Sequence, residues 1–298
     1  MKEESDFSAN RITIIGLGLI GGSLGLSLKE RNPIIKITGI DKQEIINKAI
    51  KRGAVDEGTT NLEKGVKEAD IIIIATPVKV IMSLFSQIKP FLKEEVLITD
   101  TGSTKREILL EAERVFSNKL DFIGGHPLAG LEKGGIENAS SGLFREKPYL
   151  IVSKKENSFL AKQKISFLIE CIGARGIKID DALEHDQIVA LISHLPQLIA
   201  VVLTNMYGLW VGEKNKESLF QITGKVFQEM TRVATSPFDI WKDIYQTNTE
   251  YTIDFIEKLI EYLEITREKI ARNPVELQED FEKAKLIKEK ILKIKMMD

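Results

Sequence analysis

The stretch ITIIGLGLIGGSLG, Ile12 to Gly25, decides how this chain folds. Ile12, Ile14 and Ile15 lie in a short apolar run with the composition of a buried parallel strand. Gly16, Gly18 and Gly21 follow as G-x-G-x-x-G. In that motif the first glycine permits a tight turn out of the strand. The second lets a pyrophosphate approach the backbone, and the third lets the new helix pack close to the sheet. The helix N-terminus adds free N–H groups and a partial positive charge for the anion. A second apolar run, Ile35 to Ile40, ends in Asp41, twenty residues after Gly21. A carboxylate at that spacing holds an adenosine ribose hydroxyl and disfavours a 2′-phosphate, which points to NAD rather than NADP. The competing reading, a glycine-rich turn and a surface aspartate, leaves the whole strand–turn–helix–strand context unexplained.

Outward from this unit, helical and strand patterns alternate. A helix is expected over 43–52, a strand of four isoleucines at Ile71–Ile74, a helix over 80–88 and a strand over 96–99. Asp100 to Ser103 then reads as the cap of a helix reaching Phe116, followed by a short strand at Phe122-Ile123. A strand over 149–152, a helix over 159–172 and a strand over 176–179 complete the series. This alternation predicts an α/β, doubly wound parallel sheet of the Rossmann type. From Asp181 onward the apolar residues recur at helical spacing, as in Leu277, Phe281, Ala284, Ile287, Ile291 and Ile294. The expected domains are therefore 1–180, binding a dinucleotide, and 181–298, all-helical. A small helical domain with several apolar faces completes its core against a second copy, so a homodimer is expected.

Composition narrows the function classes. Of 298 residues, 43% are hydrophobic and 29% charged, an ordinary globular balance. A net charge of −2 gives no electrostatic footprint for nucleic acid. The single cysteine, Cys171, excludes an internal disulfide framework and fits a reducing, cytoplasmic setting. The polar N-terminus MKEESDFSAN lacks the apolar segment of a signal peptide. The most apolar stretch, Ile188 to Leu203, is interrupted by Ser193, His194, Pro196 and Gln197. It reads as a buried helix rather than a membrane span. No Cys/His cluster has metal-ligand spacing, so no metal is expected.

Open α/β sheets place ligands at the C-terminal ends of their strands. Three polar positions fall there: Thr76-Pro77, the turn at Ser103, and His126 in GGHPLAG. Histidine suits proton transfer near neutral pH, which makes His126 the candidate base, with a backbone-bonded turn histidine as the alternative. Ser103 reads either as a helix N-cap or as a partner of that imidazole and of a substrate hydroxyl. His194, in SHLPQ, is either a satisfied core residue or a ligand contact, and His185, in LEHDQ, looks like an exposed residue at a helix start. Arg232 reads either as a carboxylate clamp or as a structural partner of Glu229.

Five segments in order, GLGLIGGSLGLSLK, D-x-G-S-x-K at Asp100–Lys105, GGHPLAGLEKGG at Gly124–Gly135, SHLPQ at Ser193–Gln197 and TRVATSPFDIW at Thr231–Trp241, resemble the prephenate/arogenate dehydrogenase family of tyrosine biosynthesis. The likeness covers about residues 10–265 and departs at Gly224–Phe227, where the family often has a Gly-Gly-Phe run. It implies a nucleotide domain, a helical dimerisation domain, and oxidative decarboxylation of prephenate to 4-hydroxyphenylpyruvate. It further implies that His126 takes the proton of the substrate ring hydroxyl with help from Ser103, and that Arg232 binds a carboxylate. By the same resemblance Glu132 belongs to a polar gate and His194 lies near the substrate side chain. A neutral imidazole predicts activity rising through a pKa near roughly 6.5. The alternatives are an arogenate dehydrogenase, a β-hydroxyacid dehydrogenase, which would rely on a lysine base, and a non-catalytic NAD-binding sensor, which would not need His126, Ser103 and Arg232 together.

Overall fold

The computed structural model describes residues 10–117, 119–131 and 133–297. Expected residue Glu132 lies outside the described residues. The nucleotide half begins with β1 (Arg11–Ile15), α1 (Leu19–Arg31), β2 (Lys36–Ile40), α2 (Gln43–Lys51), β3 (Glu57–Thr59) and α3 (Leu62–Val66). It continues with β4 (Ile71–Ile74), α4 (Val78–Ile88), β5 (Leu97–Asp100), α5 (Arg106–Phe116) and β6 (Asp121–Pro127). It closes with β7 (Pro148–Val152), α6 (Phe159–Cys171) and β8 (Arg175–Ile179).

The strands form one sheet in the order β3-β2-β1-β4-β5-β6-β7-β8. Pairs from β3 to β6 are parallel, whereas β7 runs antiparallel to β6 and parallel to β8. The reversal goes with the connection: residues 128–131 and 133–147 are mostly loop and hold no helix of the kind that usually returns the chain to a parallel course. Strand order reverses direction at β1/β4, which opens a crevice at the C-terminal ends of those strands.

The four isoleucines of β4 explain the layering. Ile71 and Ile73 join the core under α1 and α6, while Ile72 and Ile74 join the core under α4 and α5. All four are fully buried, as a central strand covered on both faces requires. The short β3 and α3 escape periodicity, since three strand residues and one helical turn carry too little pattern to register.

Helices then dominate. α7 (Ala182–Val189) passes through a π-helical turn at Ala190–His194 into α8 (Leu195–Lys214). This run is long and apolar enough to cross a bilayer by length and composition alone. It is not the uniformly buried helix expected from the sequence. Val189, His194, Leu195 and Ala200 are buried, but Leu191, Ile192 and Val202 are exposed, because only one side of the helix packs on the rest of this chain. α9 (Lys225–Thr231), a 3-10 turn at Arg232–Thr235 and α10 (Phe238–Thr247) follow.

The first compact unit extends to Thr249, beyond the change of sequence pattern at 180. Thr104 bonds Thr247 through their hydroxyls at 2.8 Å, and the Asn248 amide donates to the Asp186 carbonyl at 2.7 Å, so the helices after 180 are tied to the sheet side. The second unit consists of most of α11 (Thr249–Arg272) and α12 (Gln278–Met297), joined through an Asn273-capped turn and a Lys269–Asp280 ion pair of 2.6 Å.

At the end of β5, Asp100 and Lys105 form an ion pair with both side chains at 0% exposure. Asp100 also accepts from the amides of Gly102 (2.7 Å) and Gly125 (3.1 Å), which ties the β5 turn to β6. Burial pushes the Asp100 carboxyl up, against the pull of the lysine and of both amides. Removing one partner of such a pair leaves an uncompensated charge. Lys105→Met should therefore cost about 3–5 kcal/mol in urea unfolding. Breaking the exposed Arg11–Glu68 contact of 3.5 Å by Arg11→Met should cost under about 1 kcal/mol.

Candidate active site

The glycine turn sits at the mouth of the β1/β4 crevice. Gly16 has φ +92°, and a Cβ there would lie 2.5 Å from the Ala75 carbonyl oxygen, so the turn requires glycine. A Cβ on Gly21 would fall 1.8 Å from the Gly16 carbonyl oxygen, which makes this the close contact of α1 with its strand. A Cβ on Gly18 would meet nothing within 4 Å, leaving the backbone open to a ligand at that point.

Asp41, at the end of β2, accepts from the Leu17 amide at 2.7 Å, inside the glycine turn. Across the crevice Thr76 Oγ1 is buried without a hydrogen-bond partner, beside Pro77 at the start of α4. An open backbone at Gly18, a carboxylate at the turn and an orphaned hydroxyl opposite it fit a dinucleotide, the pyrophosphate facing the start of α1.

A cavity of about 400 Å³ adjoins this crevice. Ile20 from α1 lines one side, Ser103 and His126 line the sheet side, and Trp241 and Ile244 from α10 line the other. The site thus brings His126 and Ser103 together. His194 and Arg232 are not among the lining residues. His194 is buried directly after the lining Ser193, edge-on to Trp241 and Tyr245, and 3.3 Å from the Asn248 amide nitrogen. Arg232 is exposed in the turn that leads into α10.

His126 lies within β6, opposite Leu150 of β7, rather than in a turn after the strand. It is 8% exposed, and its Nδ1 lies 3.0 Å from Nε2 of His185. His185 is fully buried, its Nδ1 2.8 Å from Asp186 Oδ1. The expectation of an exposed His185 fails because α7 lays that side of its first turns against α5 and the ends of β7 and β8. Among the described residues Ser103 makes no hydrogen bond to His126, so the imidazole is oriented by His185. Nor does Ser103 cap α5. The cap position is Lys105, and the first amides, Lys105 (2.7 Å) and Arg106 (3.0 Å), are taken by the Asp186 carboxylate. The sequence signal for Asp186 was its position after His185 in LEHDQ, but its partners are about 80 residues away.

Electrostatics keep the imidazoles of this cluster neutral. Burial, then His185 and Lys105, hold the His126 imidazole well below its usual range. Burial and Lys105 pull His185 down to about 2, and burial pulls His194 to about 4. The expected rise of activity near pH 6.5 is thereby corrected: a base with a lowered pKa stays unprotonated further into acid, so the rise moves below 6.5. The arrangement can accept a proton from a hydroxyl held beside His126 while a nucleotide lies against the glycine turn. Sheet and site define a dinucleotide-binding oxidoreductase.

Comparison with known proteins agrees. Residues 24–178 match the prephenate dehydrogenase nucleotide-binding domain and residues 181–285 the prephenate dehydrogenase dimerization domain. The prephenate dehydrogenase of Lactococcus lactis subsp. cremoris is 36% identical over 94% of this chain and 77% of its own. The structure of prephenate dehydrogenase from A. aeolicus in complex with hydroxyphenyl propionate and NAD+ aligns with TM-score 0.86 at 28% identity, over 96% of this chain and 100% of that one. Synechocystis arogenate dehydrogenase aligns with TM-score 0.79 at 26% identity, over 94% and 99%. The chain belongs to the prephenate dehydrogenase family.

The carboxylate position gives a direct check on cofactor choice. Asp41→Ser should raise the use of NADP relative to NAD in steady-state assays, because the charge that repels a 2′-phosphate is removed. Equal use of both cofactors by the unmutated protein would rule this role out.

Proposed function

We propose that the protein is an NAD-dependent prephenate dehydrogenase, converting prephenate to 4-hydroxyphenylpyruvate and CO2 in tyrosine biosynthesis. The observation that carries this reading is His126, buried at the wall of a mostly apolar cavity between the glycine turn and α10, with Nδ1 already engaged. NAD bound at Gly16, Gly18, Gly21 and Asp41, with Thr76 and Pro77 opposite, supplies the hydride acceptor. The hydride leaves the ring carbon that bears the hydroxyl, and His126 takes the hydroxyl proton as charge develops there. The C–COO⁻ bond breaks, its electron pair enters the ring, and the aromatic product forms with release of CO2. Because aromatisation drives the reaction, the protein's task is mainly to position the substrate and exclude water. Ser103, on the same wall, holds the reacting hydroxyl.

Among the described residues no lysine or arginine lines the cavity, yet the substrate carries two carboxylates. We assign one of them to Arg232, whose turn leads into the cavity-lining α10, and place His194 near the substrate's side chain. A second reading, an arogenate dehydrogenase, draws on the likeness to the Synechocystis enzyme. The two substrates differ by a keto or an amino group, and parallel assays with each decide between them.

The boundary at 180 is retained as the functional division, 1–180 for nucleotide and 181–298 for substrate and assembly. The assembly we propose is a homodimer through the second part, supported by the match to a dimerization domain and by exposed Leu209, Val226 and Phe281. A cytoplasmic enzyme without nucleic-acid or membrane partners completes the reading.

His126→Asn should leave NAD affinity intact and lower kcat by about 10²- to 10⁴-fold. Near-normal kcat would reduce His126 to a structural residue. Arg232→Ala should raise KM for the substrate about 10- to 150-fold, the equivalent of a lost charged hydrogen bond of roughly 1.5–3 kcal/mol. Arg232→Lys should recover part of it, since an ammonium lacks the planar fork. An unchanged KM would mean that another cation binds the carboxylate.

A further inference from the structure

His126 does not act alone in the fold. Its Nδ1 meets His185 Nε2 at 3.0 Å, and His185 Nδ1 meets Asp186 Oδ1 at 2.8 Å. The series ends at the N-terminus of α5, where Asp186 also accepts from the amides of Lys105 and Arg106 at 2.7 and 3.0 Å. All three side chains of the series are buried. A neutral imidazole carries one N–H, and which nitrogen carries it is set by the bond the other makes. The direction of the series is therefore decided at its acid end.

Two backbone N–H groups, of Lys105 and Arg106, converge on the Asp186 carboxylate at the start of α5, and they and the helix N-terminus favour a negative charge there against the upward push of burial. An ionised carboxylate only accepts, so the single hydrogen of His185 sits on Nδ1. His185 Nε2 then holds a lone pair, and His126 must donate to it from Nδ1. The remaining nitrogen of His126, Nε2, is left as an unprotonated acceptor on the cavity wall. The backbone of Asp186 is fixed as well, since its carbonyl accepts from Asn248 at 2.7 Å.

We propose that His185 and Asp186 are a positioning pair that holds the proton of His126 on Nδ1, so that Nε2 meets the substrate hydroxyl as a base. The pair touches neither substrate nor cofactor. When the hydroxyl proton moves to Nε2, the imidazolium keeps its Nδ1–H bond to His185, and the Asp186 charge lies at the end of the same series. The proton is later released from Nε2, and nothing is oxidised or reduced in this part. The inference rests on His126 being the base, and it explains the adjacent His-Asp that the sequence reading left as an ordinary helix start.

The full-length protein, uniformly ¹⁵N-labelled at histidine, tests it directly, because only three histidines need assignment. Nitrogen shifts at pH 7 should show His126 protonated at Nδ1 and bare at Nε2. The reverse tautomer overturns the proposal, since it would require a protonated Asp186 driving the series the other way. His185→Phe removes the acceptor and should lower kcat by about 10²-fold, the low end of losing a base, with KM for NAD unchanged and the His126 tautomer lost. His185→Gln can accept with its amide oxygen and donate with its amide nitrogen. It should recover to within about 10-fold of the parent kcat and restore the Nδ1–H signal. Unchanged kcat in folded His185→Phe, or equal losses in the two variants with the tautomer unmoved, would make His185 merely structural. The two readings separate: near-normal kcat in His126→Asn removes the base whatever its tautomer, whereas an Nε2–H tautomer in the parent protein removes only the positioning pair.

Discussion

A buried ammonium holds the reactive edge of this protein together. Lys105 pairs with Asp100 where neither side chain reaches solvent, and it donates as well to the carbonyls of Gly102 and Thr104 at 2.9 and 3.1 Å. Charges are costly to bury, and such a pair persists only when every donor and acceptor is met. Here the consequence is geometric. Asp100 closes the turn after β5 and grips β6 at Gly125, the residue before His126. The amide of the same lysine fixes Asp186, and through it His185. One residue thus couples the strand that carries the candidate base to the helix that orients it.

The nucleotide side obeys a different constraint, that of close backbone approach. Gly16 rests against Ala75 and Gly21 against Gly16, so β1, the turn and β4 meet with no room for side chains. The gap at Gly18 and the unpartnered hydroxyl of Thr76 are what remains once that packing is complete. Rigid packing and open space are produced by the same residues, and the cavity containing His126 begins where the glycine turn ends, at Ile20.

Sequence and structure agree best where pattern is local. The glycine spacing, the alternating strands and helices and the place of Asp41 follow from neighbouring residues, so they were legible without coordinates. His126 and Ser103 were legible because both lie at strand ends, where such sheets bind ligands. The sequence reading failed where partners are distant. His185 looked exposed because nothing near it in the chain buries it. Of the two readings of Ser103, the helix cap fails because the true acceptor for the α5 amides, Asp186, lies about 80 residues on. The antiparallel course of β7 was hidden because loop and crossover differ in path rather than in the strand pattern itself.

By itself, then, the sequence determined the nucleotide-binding architecture, the order of its elements and the residue types available for proton transfer, since periodicity and turn chemistry act over a few residues. Only the tertiary structure decided the state of the chemical group. The imidazole of His126 lies well below its usual pKa, with Nδ1 committed to His185, because burial and contacts from distant segments converge on it. Desolvation and hydrogen-bond direction are properties of what surrounds a residue in space, and no local pattern encodes them.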